Sequence, residues 1–175
     1  MPKLIPELRK QFLEAARNQV LVQDRDFTVR QIASDCGVSA GTLYNYFPSK
    51  EALIGAVMME DWMLCRERMA QASEGKEDIL EALRAVETAL CSFTDRYRSV
   101  FSRYGESIGT TVSSVFERYE MLIGEIGRAV TPILERFGKT EDPFLPELIS
   151  EMTVTASRKP DGFERITPSL RRLLS

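Results

Sequence analysis

The chain has 175 residues, of which 43% are hydrophobic and 28% are charged, and it contains no apolar run approaching the 18 or more residues of a membrane span. We therefore expect a soluble, cytoplasmic protein with a packed core and no membrane association. Because the chain contains no histidine, the usual zinc sites and histidine-based catalytic triads cannot be built from it, and neither a metal nor a cofactor is expected.

The net charge of −3 is distributed unevenly along the chain. Residues 1–50 carry seven Lys and Arg against five Asp and Glu, a net charge of +2, whereas the remaining residues carry 16 against 21, a net charge of −5. Positive charge thus belongs to the end that would meet phosphate, although +2 produces only a weak field. Nucleic-acid binding, if it occurs, is expected to be modest in affinity and sensitive to salt.

In chain order, the first predicted helix covers residues 6–22. Pro6 suits a helix start, and the apolar residues follow an i, i+4 pattern at Leu8, Phe12, Ala15, Ala16 and Val20. The helix is expected to cover the back of the two helices that follow. Residues 23–26 then form a polar connector of sequence Gln-Asp-Arg-Asp.

Residues 28–47 predict a helix-turn-helix. Thr28 and Gln31 form a capping box at the start of the first helix. Gly37, a residue type that adopts a left-handed conformation cheaply, ends this helix, and Ser39 caps the next one only two residues later. The two short helices can bury one shared face, made of Val29, Ile32, Ala33, Val38, Leu43 and Phe47.

The outward face of the second short helix is small and polar. With Leu43 pointing inward on a wheel of 100° per residue, Gly41 and Asn45 lie on the far side, flanked by Thr42 and Tyr44. A glycine inside a helix costs about 1 kcal/mol relative to alanine, so an exposed Gly41 suggests that another molecule comes very close to this backbone. The major groove of DNA is the natural candidate.

Longer helices are predicted beyond Pro48, which ends the second short helix. Ser49 caps a helix that continues to about Ala72, a length of about 35 Å. Further helices are predicted over 77–97, 100–108, 112–137 with Pro132 as a kink, 142–157 and 167–174, where Thr167 and Pro168 would be the cap and the first residue. No strand pattern or repeat is present, so the predicted fold class is all-α.

These segments resemble the DNA-binding domain of the TetR family of transcriptional regulators. The resemblance is carried by Thr-Val-Arg-Gln-Ile-Ala at 28–33, Gly-Val-Ser-Ala-Gly-Thr-Leu-Tyr at 37–44 and Tyr-Phe-Pro-Ser-Lys-Glu-Ala-Leu at 46–53. It covers about residues 8–57. The remaining two thirds of the chain match the family only in being helical.

The resemblance implies a three-helix helix-turn-helix DNA-binding domain over residues 1–48, together with the start of the connecting helix to about residue 57. It also implies a helical ligand-binding and dimerisation domain over 49–175. It further implies a ligand-responsive repressor that binds a pseudo-palindromic operator on double-stranded DNA as a homodimer. The expected interface lies on about 143–174 and could also use 112–137. Ligand binding would shift the spacing of the two DNA-binding heads through the helix at 49–72.

The predicted DNA-binding residues are Thr28, Arg30, Ser39, Ala40, Gly41, Thr42, Tyr44, Asn45, Tyr46 and Lys50. Lys50 and the hydroxyls of Thr28 and Tyr44 are expected to contact phosphate, and the resemblance alone adds Tyr46. Thr42 and Asn45 are expected to contact base edges. No Arg or Lys lies between Val38 and Phe47, so the commonest pairing with guanine is not available there; Arg30 and Lys3 are the nearest substitutes.

The expected effector is a small, mostly apolar molecule, and large side chains on the connecting and middle helices are the candidates for its pocket. These candidates are Met58, Trp62, Phe93, Tyr97, Phe101, Tyr104, Phe116 and Tyr119. An aromatic or methionine stripe at helical spacing is also what an ordinary core looks like, so both interpretations stay open.

Two other classes of protein compete with the regulator hypothesis. A helical small-molecule sensor or adaptor without DNA-binding activity is supported by the weak charge of the N-terminal part. An enzyme is disfavoured because the Asp, Glu and Cys residues do not converge in the sequence. The three cysteines, Cys36, Cys65 and Cys91, are interpreted as buried free thiols, with a redox role for Cys36 left open.

Overall fold

The computed structural model describes residues 6–22, 26–72, 74–108 and 112–175, without the side chains of 22, 72, 104–108 and 112–118. The described residues form eight α-helices and contain no strand, which confirms the predicted all-α fold class. The helices are α1 (Pro6–Arg17, continued by a π-helical turn over Asn18–Val22), α2 (Val29–Asp35), α3 (Ala40–Tyr44), α4 (Lys50–Ala72), α5 (Ile79–Ile108), α6 (Val112–Arg136), α7 (Leu145–Ser157) and α8 (Gly162–Leu173). Within the described ranges, no helix combines the length and apolarity that crossing a bilayer requires.

The chain packs into two compact units. Unit 1 comprises Met1–Asp61 and Arg96–Thr110, and unit 2 comprises Trp62–Asp95 and Thr111–Ser175. The core of unit 1 is apolar and draws on α1 to α5, with buried side chains at Phe12, Leu13, Ala16, Phe27, Ile32, Ala33, Leu43, Phe47, Leu53, Ile54, Val57, Tyr97 and Val100. Unit 1 therefore includes the first half of α4 and the part of α5 from Arg96 onwards, as well as the three short N-terminal helices.

Unit 2 is held together by the apolar faces of its longer helices. Helix α7 packs on both α6 and α8. The core takes residues from α4 to α8, among them Met69, Leu83, Leu90, Ile126, Val130, Ile133, Ile149, Val154, Phe163 and Leu170. Burial of this continuous surface, at about 25 cal/mol per Å² of apolar area removed from water, is the main force that stabilises this unit.

Helix α5 corrects one prediction. The sequence predicted a helix over 77–97 and a second one over 100–108, whereas α5 is a single helix of 30 residues. The buried residues Tyr97 and Val100 continue one periodic stripe across the predicted gap, and neither Arg98 nor Ser99 breaks a helix. The start also differs, because the side chain of Asp78 accepts a hydrogen bond from the backbone N–H of Glu81 at 3.0 Å and caps the helix there.

Helix α8 corrects the predicted start of the last helix. Thr167 and Pro168 were predicted to begin the last helix, but α8 begins at Gly162 and Pro168 lies inside it. The Thr167 hydroxyl does not cap the helix and instead donates to the carbonyl of Phe163 at 2.8 Å. Burial of Phe163 and Leu170 on one face favours the longer helix despite the cost of an internal proline.

Candidate nucleic-acid interface

The start of α2 is fixed by a reciprocal cap, as the sequence predicted. The Thr28 hydroxyl accepts a hydrogen bond from the backbone N–H of Gln31 at 3.2 Å, and the Gln31 side chain accepts one from the backbone N–H of Thr28 at 2.7 Å. Two N–H groups that the first turn would otherwise leave without partners are thereby satisfied. The Thr28 side chain remains exposed at the end of the helix.

The turn between α2 and α3 is fixed by its backbone. Gly37 takes a φ of 69°, in the left-handed region where a side chain is disfavoured. The backbone N–H of Gly37 donates to Ser34 O at 3.0 Å, and that of Val38 donates to Ala33 O at 2.9 Å. This pair of bonds is the Schellman motif, so α2 ends at the point that Gly37 predicted.

Helix α3 starts immediately afterwards and is short. The Ser39 side chain accepts a hydrogen bond from the backbone N–H of Thr42 at 3.2 Å, which confirms Ser39 as the N-cap. The hydroxyl of Thr42 lies 3.0 Å from that of Ser39, so the Thr42 hydroxyl is already engaged within the helix. The helix spans only Ala40–Tyr44, with Asn45 as its C-cap, so it ends before Pro48, the residue that the sequence predicted to end it.

The exposure of the α3 side chains matches the predicted wheel. Leu43 is fully buried, whereas Gly41, Tyr44 and Asn45 are exposed and Thr42 is partly exposed. A Cβ added to Gly41 would meet only the Ser39 hydroxyl oxygen, at 3.7 Å, an ordinary contact distance. Nothing within the described part of the protein therefore explains a glycine at this position.

Tyr46 lies where α3 has ended, and it leans towards the core. Its ring packs edge-on against Phe12 of α1, with the ring centres 5.4 Å apart. The side chain is half-buried, as the wheel indicated. A phosphate contact by the Tyr46 hydroxyl therefore stays a prediction that depends on the family resemblance.

The first residue of α4 faces back towards the segment that precedes α2. The Lys50 ammonium forms an ion pair with Asp26 and lies 4.9 Å from the centre of the Phe27 ring. The preceding Ser49 caps α4, since its side chain accepts a hydrogen bond from the backbone N–H of Ala52 at 3.1 Å. The sequence placed Lys50 correctly at this helix start but gave no indication that Asp26 would engage it.

A buried polar cluster in unit 1 was also missed. Asp61 of α4 is only 6% exposed in its side chain, and it accepts hydrogen bonds from Arg17 Nε at 3.1 Å and the Tyr97 hydroxyl at 2.9 Å. Arg17 also donates to Glu60 at 2.9 Å, and Arg96 lies 3.5 Å from Asp61. Asp61 thus joins the end of α1 to α4 and α5.

The sequence did carry a signal for this cluster. Asp61 stands at four-residue spacing in the buried stripe of Val57, Cys65 and Met69, where an unpaired carboxylate would be costly. Burial, with the hydrogen bond to Asp61, raises the pKa of Tyr97 well above its ordinary value. The Tyr97 hydroxyl, predicted as a pocket group, is therefore committed to Asp61.

The other predicted pocket residues are divided between the two units, and the ligand pocket stays a prediction. Met58, Tyr97 and Phe101 belong to unit 1, whereas Trp62, Phe93 and Tyr119 belong to unit 2. Within unit 2, the Trp62 and Phe93 rings meet edge-on at 5.2 Å beside the core, and the Tyr119 hydroxyl donates to Glu151. The side chains of Tyr104 and Phe116 lie outside the described residues, as do Lys3 and residues 23–25 of the connector.

Unit 2 carries a groove of about 320 Å³ between α4 and α6. Arginine and glutamate side chains provide most of its polar surface, and Arg66 and Arg128 both form ion pairs with Glu125. No predicted pocket residue contributes to its lining, which consists of Met63, Arg66, Glu67, Ala70, Glu125, Arg128 and Ala129.

All three cysteines are free, and their surroundings disfavour the thiolate. Burial raises the pKa of Cys65 to about 11, and burial with a hydrogen bond to Glu87 raises that of Cys91 to about 12. Burial and the neighbouring carboxylate of Asp35 also raise the pKa of Cys36. Since thiolates are the reactive form, this environment does not favour the redox role left open for Cys36.

A capped helix, a glycine turn and a second short helix with an exposed polar face together define the helix-turn-helix class of domain. Residues 12–57 match the family model described as "Bacterial regulatory proteins, tetR family". Residues 12–57 therefore resemble the DNA-binding domain of the TetR family.

Comparison with individual proteins agrees with this assignment. The chain is 36% identical over 70 residues to the HTH-type transcriptional regulator UidR of Escherichia coli strain K12, a match that covers 38% of this chain and 35% of UidR. The chain therefore spans only about a third of the length of the curated relatives that it matches.

Solved structures extend the likeness over the whole fold. A TetR-family transcriptional regulator from Streptomyces coelicolor superposes with a TM-score of 0.63 at 21% identity, over 98% of this chain and 80% of that one. The regulator FadR of Bacillus subtilis, solved in complex with stearoyl-CoA, superposes with a TM-score of 0.57 at 21% identity, over 95% and 97% of the two chains. At these identities the likeness establishes the fold alone.

Proposed function

We propose that this protein is a ligand-responsive transcriptional repressor that binds a pseudo-palindromic operator as a homodimer. It acts in the cytoplasm and reads double-stranded DNA with α3. The match of residues 12–57 to the tetR family of bacterial regulatory proteins argues against an enzyme. One copy of α3 offers too few polar readers to specify a genomic address, so two copies about one helical turn of DNA apart are required.

Gly41 is the single observation that carries the DNA-binding proposal. It lies exposed in the first turn of α3, and the space around it would admit a Cβ without a close contact. Glycine costs about 0.5 to 1 kcal/mol relative to alanine inside a helix, so the fold would be more stable with alanine there. The advantage of glycine must then come from outside the chain, from a surface that approaches the α3 backbone closely.

The test is Gly41→Ala, for which stability and DNA affinity should change in opposite directions. The variant should unfold at higher urea concentration than the wild type and bind fragments selected from random duplex DNA less tightly. Gly55→Ala is the matched control, because nothing lies within 4 Å of the added Cβ and Gly55 belongs to α4, outside the helix that is proposed to read DNA. A Gly41→Ala protein that bound its selected DNA as tightly as the wild type would refute the role of α3.

The proposed division of labour on DNA can be tested separately. Asn45→Ala should relax the preference at one base position by about 1 to 3 kcal/mol. Lys50→Ala should weaken binding to all sequences alike and flatten the salt dependence. Identical effects of the two changes would contradict the assignment of one residue to bases and the other to phosphate.

The proposed dimer interface lies on residues 143–174 of unit 2. Large apolar side chains there are exposed in the single chain, notably Phe144 at 71%, Leu148 at 42% and Leu173 of α8 at 40%. Met121 of α6 is also exposed, in keeping with a contribution from 112–137. A second copy of the chain would remove these apolar surfaces from water.

Sedimentation equilibrium tests the dimer. Leu148→Arg should weaken self-association, because the arginine would place a charge within the interface. Leu64→Arg is the matched control, since Leu64 is 51% exposed on α4, outside the proposed interface. Equal dissociation constants for the two variants would place the interface elsewhere.

The proposed effector is small and mostly apolar. Acyl thioesters are a reasonable first class to test, because the FadR fold neighbour was solved with stearoyl-CoA. A graded series of acyl-CoA chain lengths should raise the melting temperature and weaken DNA binding if one of them is the effector, because ligand and DNA would then prefer different states. Free CoA, which lacks the acyl chain, is the control.

A second candidate, a helical sensor or adaptor that does not bind DNA, is favoured by one observation. Residues 26–50 contain two cations and two carboxylates and are therefore neutral overall. A salt-dependent shift with duplex DNA discriminates the two functions, because only a DNA-binding protein would lose affinity steeply as salt rises.

A further inference from the structure

Lys50 is the cation that the sequence assigns to phosphate contact, and in the structure it is already engaged. Its ammonium pairs with the carboxylate of Asp26 and lies over the ring of Phe27. The Lys50 side chain is only 20% exposed, whereas that of Asp26 is 73% exposed. The carboxylate is therefore the more accessible charge of the pair.

The surrounding segment makes the state of this one lysine important. Between residues 26 and 50 the cations are Arg30 and Lys50, and the carboxylates are Asp26 and Asp35. Helix α3 itself carries no charge. Because so few cations are available for phosphate, engaging one of them within the protein changes a large share of the electrostatic attraction to DNA.

We propose that Asp26 limits the affinity of this protein for DNA by holding the Lys50 ammonium, an inference that rests on the proposed DNA-binding function. A phosphate oxygen that approaches Lys50 must either displace the Asp26 carboxylate or share the ammonium with it. When the ammonium is shared, the two anions repel each other across a short distance. In both cases the phosphate contact is weaker than an unengaged lysine would give.

The consequence is the same for every DNA sequence. Phosphate contacts supply the sequence-independent part of DNA affinity, whereas contacts from α3 to base edges supply the sequence-dependent part. A carboxylate that weakens only the first part lowers operator binding and non-specific binding by about the same factor, and it leaves the contacts of Asn45 and Thr42 unchanged. Asp26 thereby lowers the overall affinity for DNA without changing the ratio of specific to non-specific binding.

A double-mutant cycle over Asp26 and Lys50 tests the proposal. The proteins are the wild type, Asp26→Asn, Lys50→Gln and the double variant, and the probe is a labelled mixed-sequence duplex of about 25 base pairs, titrated from about 50 to 200 mM salt. A mixed sequence suffices because phosphate contact does not depend on the operator. We expect Asp26→Asn to tighten binding about two- to fivefold per protomer and to steepen the salt dependence. In the Lys50→Gln background, Asp26→Asn should tighten binding much less.

Asp35→Asn is the matched control, since it removes one carboxylate from the same unit without touching the Lys50 pair. An equal gain from Asp35→Asn, or an equal gain from Asp26→Asn with and without Lys50, would show that only net charge matters and would overturn the proposal. An unchanged affinity of Asp26→Asn, with the wild type binding the duplex, would also overturn it and leave the proposed function intact. If neither the wild type nor any variant binds at low salt, the proposed function fails and the inference fails with it. Thermal melts of all variants verify that each is folded.

Discussion

The two units of this chain define their helices by different means. In unit 1 side-chain caps begin the short helices α2 and α3, and a positive-φ glycine ends α2, each visible in the sequence. In unit 2 helix α8 follows the apolar surface that it buries and continues through Pro168, a residue that usually ends a helix. A helix of five to seven residues has too little packing surface to fix its own ends, so local chemistry must do it.

The units also differ in how they use buried polar groups. Unit 1 places a carboxylate, Asp61, at the meeting point of α1, α4 and α5, where directional hydrogen bonds set the geometry. The buried polar residues of α7 in unit 2, by contrast, bond to carbonyls of their own helix, as Ser150 does to Pro146 and Thr153 to Ile149. Hydrogen bonds of a buried carboxylate therefore connect helices in unit 1, whereas the buried hydroxyls of Ser150 and Thr153 bond within α7 itself.

The largest effect is expected from Leu43→Ala in unit 1. Leu43 is fully buried on the inward face of α3. Its truncation should therefore lower the free energy of unfolding by about 2 to 5 kcal/mol and should abolish DNA binding. Ile126→Ala in unit 2 removes a side chain of equal burial and should cost a similar amount. Urea unfolding compares the two, and a cost below about 1 kcal/mol for Leu43→Ala would contradict the packing described for α3.

A smaller loss is expected from Tyr97→Phe, which removes the hydroxyl bonded to Asp61. A hydrogen bond to a charged group contributes about 1.5 to 3 kcal/mol, and the variant should lose about that amount at neutral pH. Because the folded-state pKa of Tyr97 is raised above the ordinary 10.0, its contribution is present below pH 10 and is lost as pH rises further.

Urea unfolding of Tyr97→Phe at several pH values measures both effects. The wild type should lose stability above about pH 10 more steeply than the variant, since the unfolded wild type releases one more proton there. Parallel pH profiles for the two proteins would mean that Tyr97 does not titrate differently on folding.

Gly162→Ala tests how closely α8 approaches α7 in unit 2. An added Cβ would lie 2.0 Å from the backbone carbonyl oxygen of Ala156, so the two helices would have to separate, at a cost of about 1 to 3 kcal/mol. Gly124→Ala in α6 is the control, because nothing lies within 4 Å of its added Cβ and the change should stabilise the helix by about 0.5 to 1 kcal/mol. Melting temperatures from calorimetry that shifted in the same direction for both variants would contradict the tight packing of α8 on α7.

The smallest effect is expected from Thr28→Ala, which removes the cap of α2 in unit 1. The loss should be about 0.5 to 2 kcal/mol, and Thr28→Ser should retain most of the stability because its hydroxyl can accept the same hydrogen bond. Thermal unfolding of the three proteins provides the measurement. A Thr28→Ser protein as unstable as Thr28→Ala would assign the effect to the lost methyl group rather than to the cap.

Much of unit 1 could be predicted because its determinants are local. Thr28, Gly37, Ser39 and Ser49 act on backbone groups within three residues of themselves, so the sequence alone locates the starts of α2, α3 and α4 and the end of α2. The exposed face of α3 followed from the 100° spacing once Leu43 was placed inward. What could not be predicted was the pairing of Lys50 with Asp26, because those residues are 24 positions apart and meet only through the fold.

The errors in the longer helices α5 and α8 have the opposite cause. Pro168 is a strong local signal for a helix start, but the burial of Phe163 and Leu170 outweighed it. The gap predicted after Tyr97 likewise had no structural cause once Val100 joined the same buried stripe. The candidate pocket stays a prediction, because aromatic residues at helical spacing serve a core and a ligand site equally well.

The bonds at Asp61 also constrain how this protein can diverge. A substitution of Asp61 alone by an aliphatic residue would remove the carboxylate that accepts the hydrogen bond of the buried Tyr97 hydroxyl. It would also remove one of the two carboxylates that Arg17 binds. Phenylalanine at 97 together with an aliphatic residue at 61 would be tolerated far better than either exchange alone. In an alignment of descendants, positions 61 and 97 should therefore change in step.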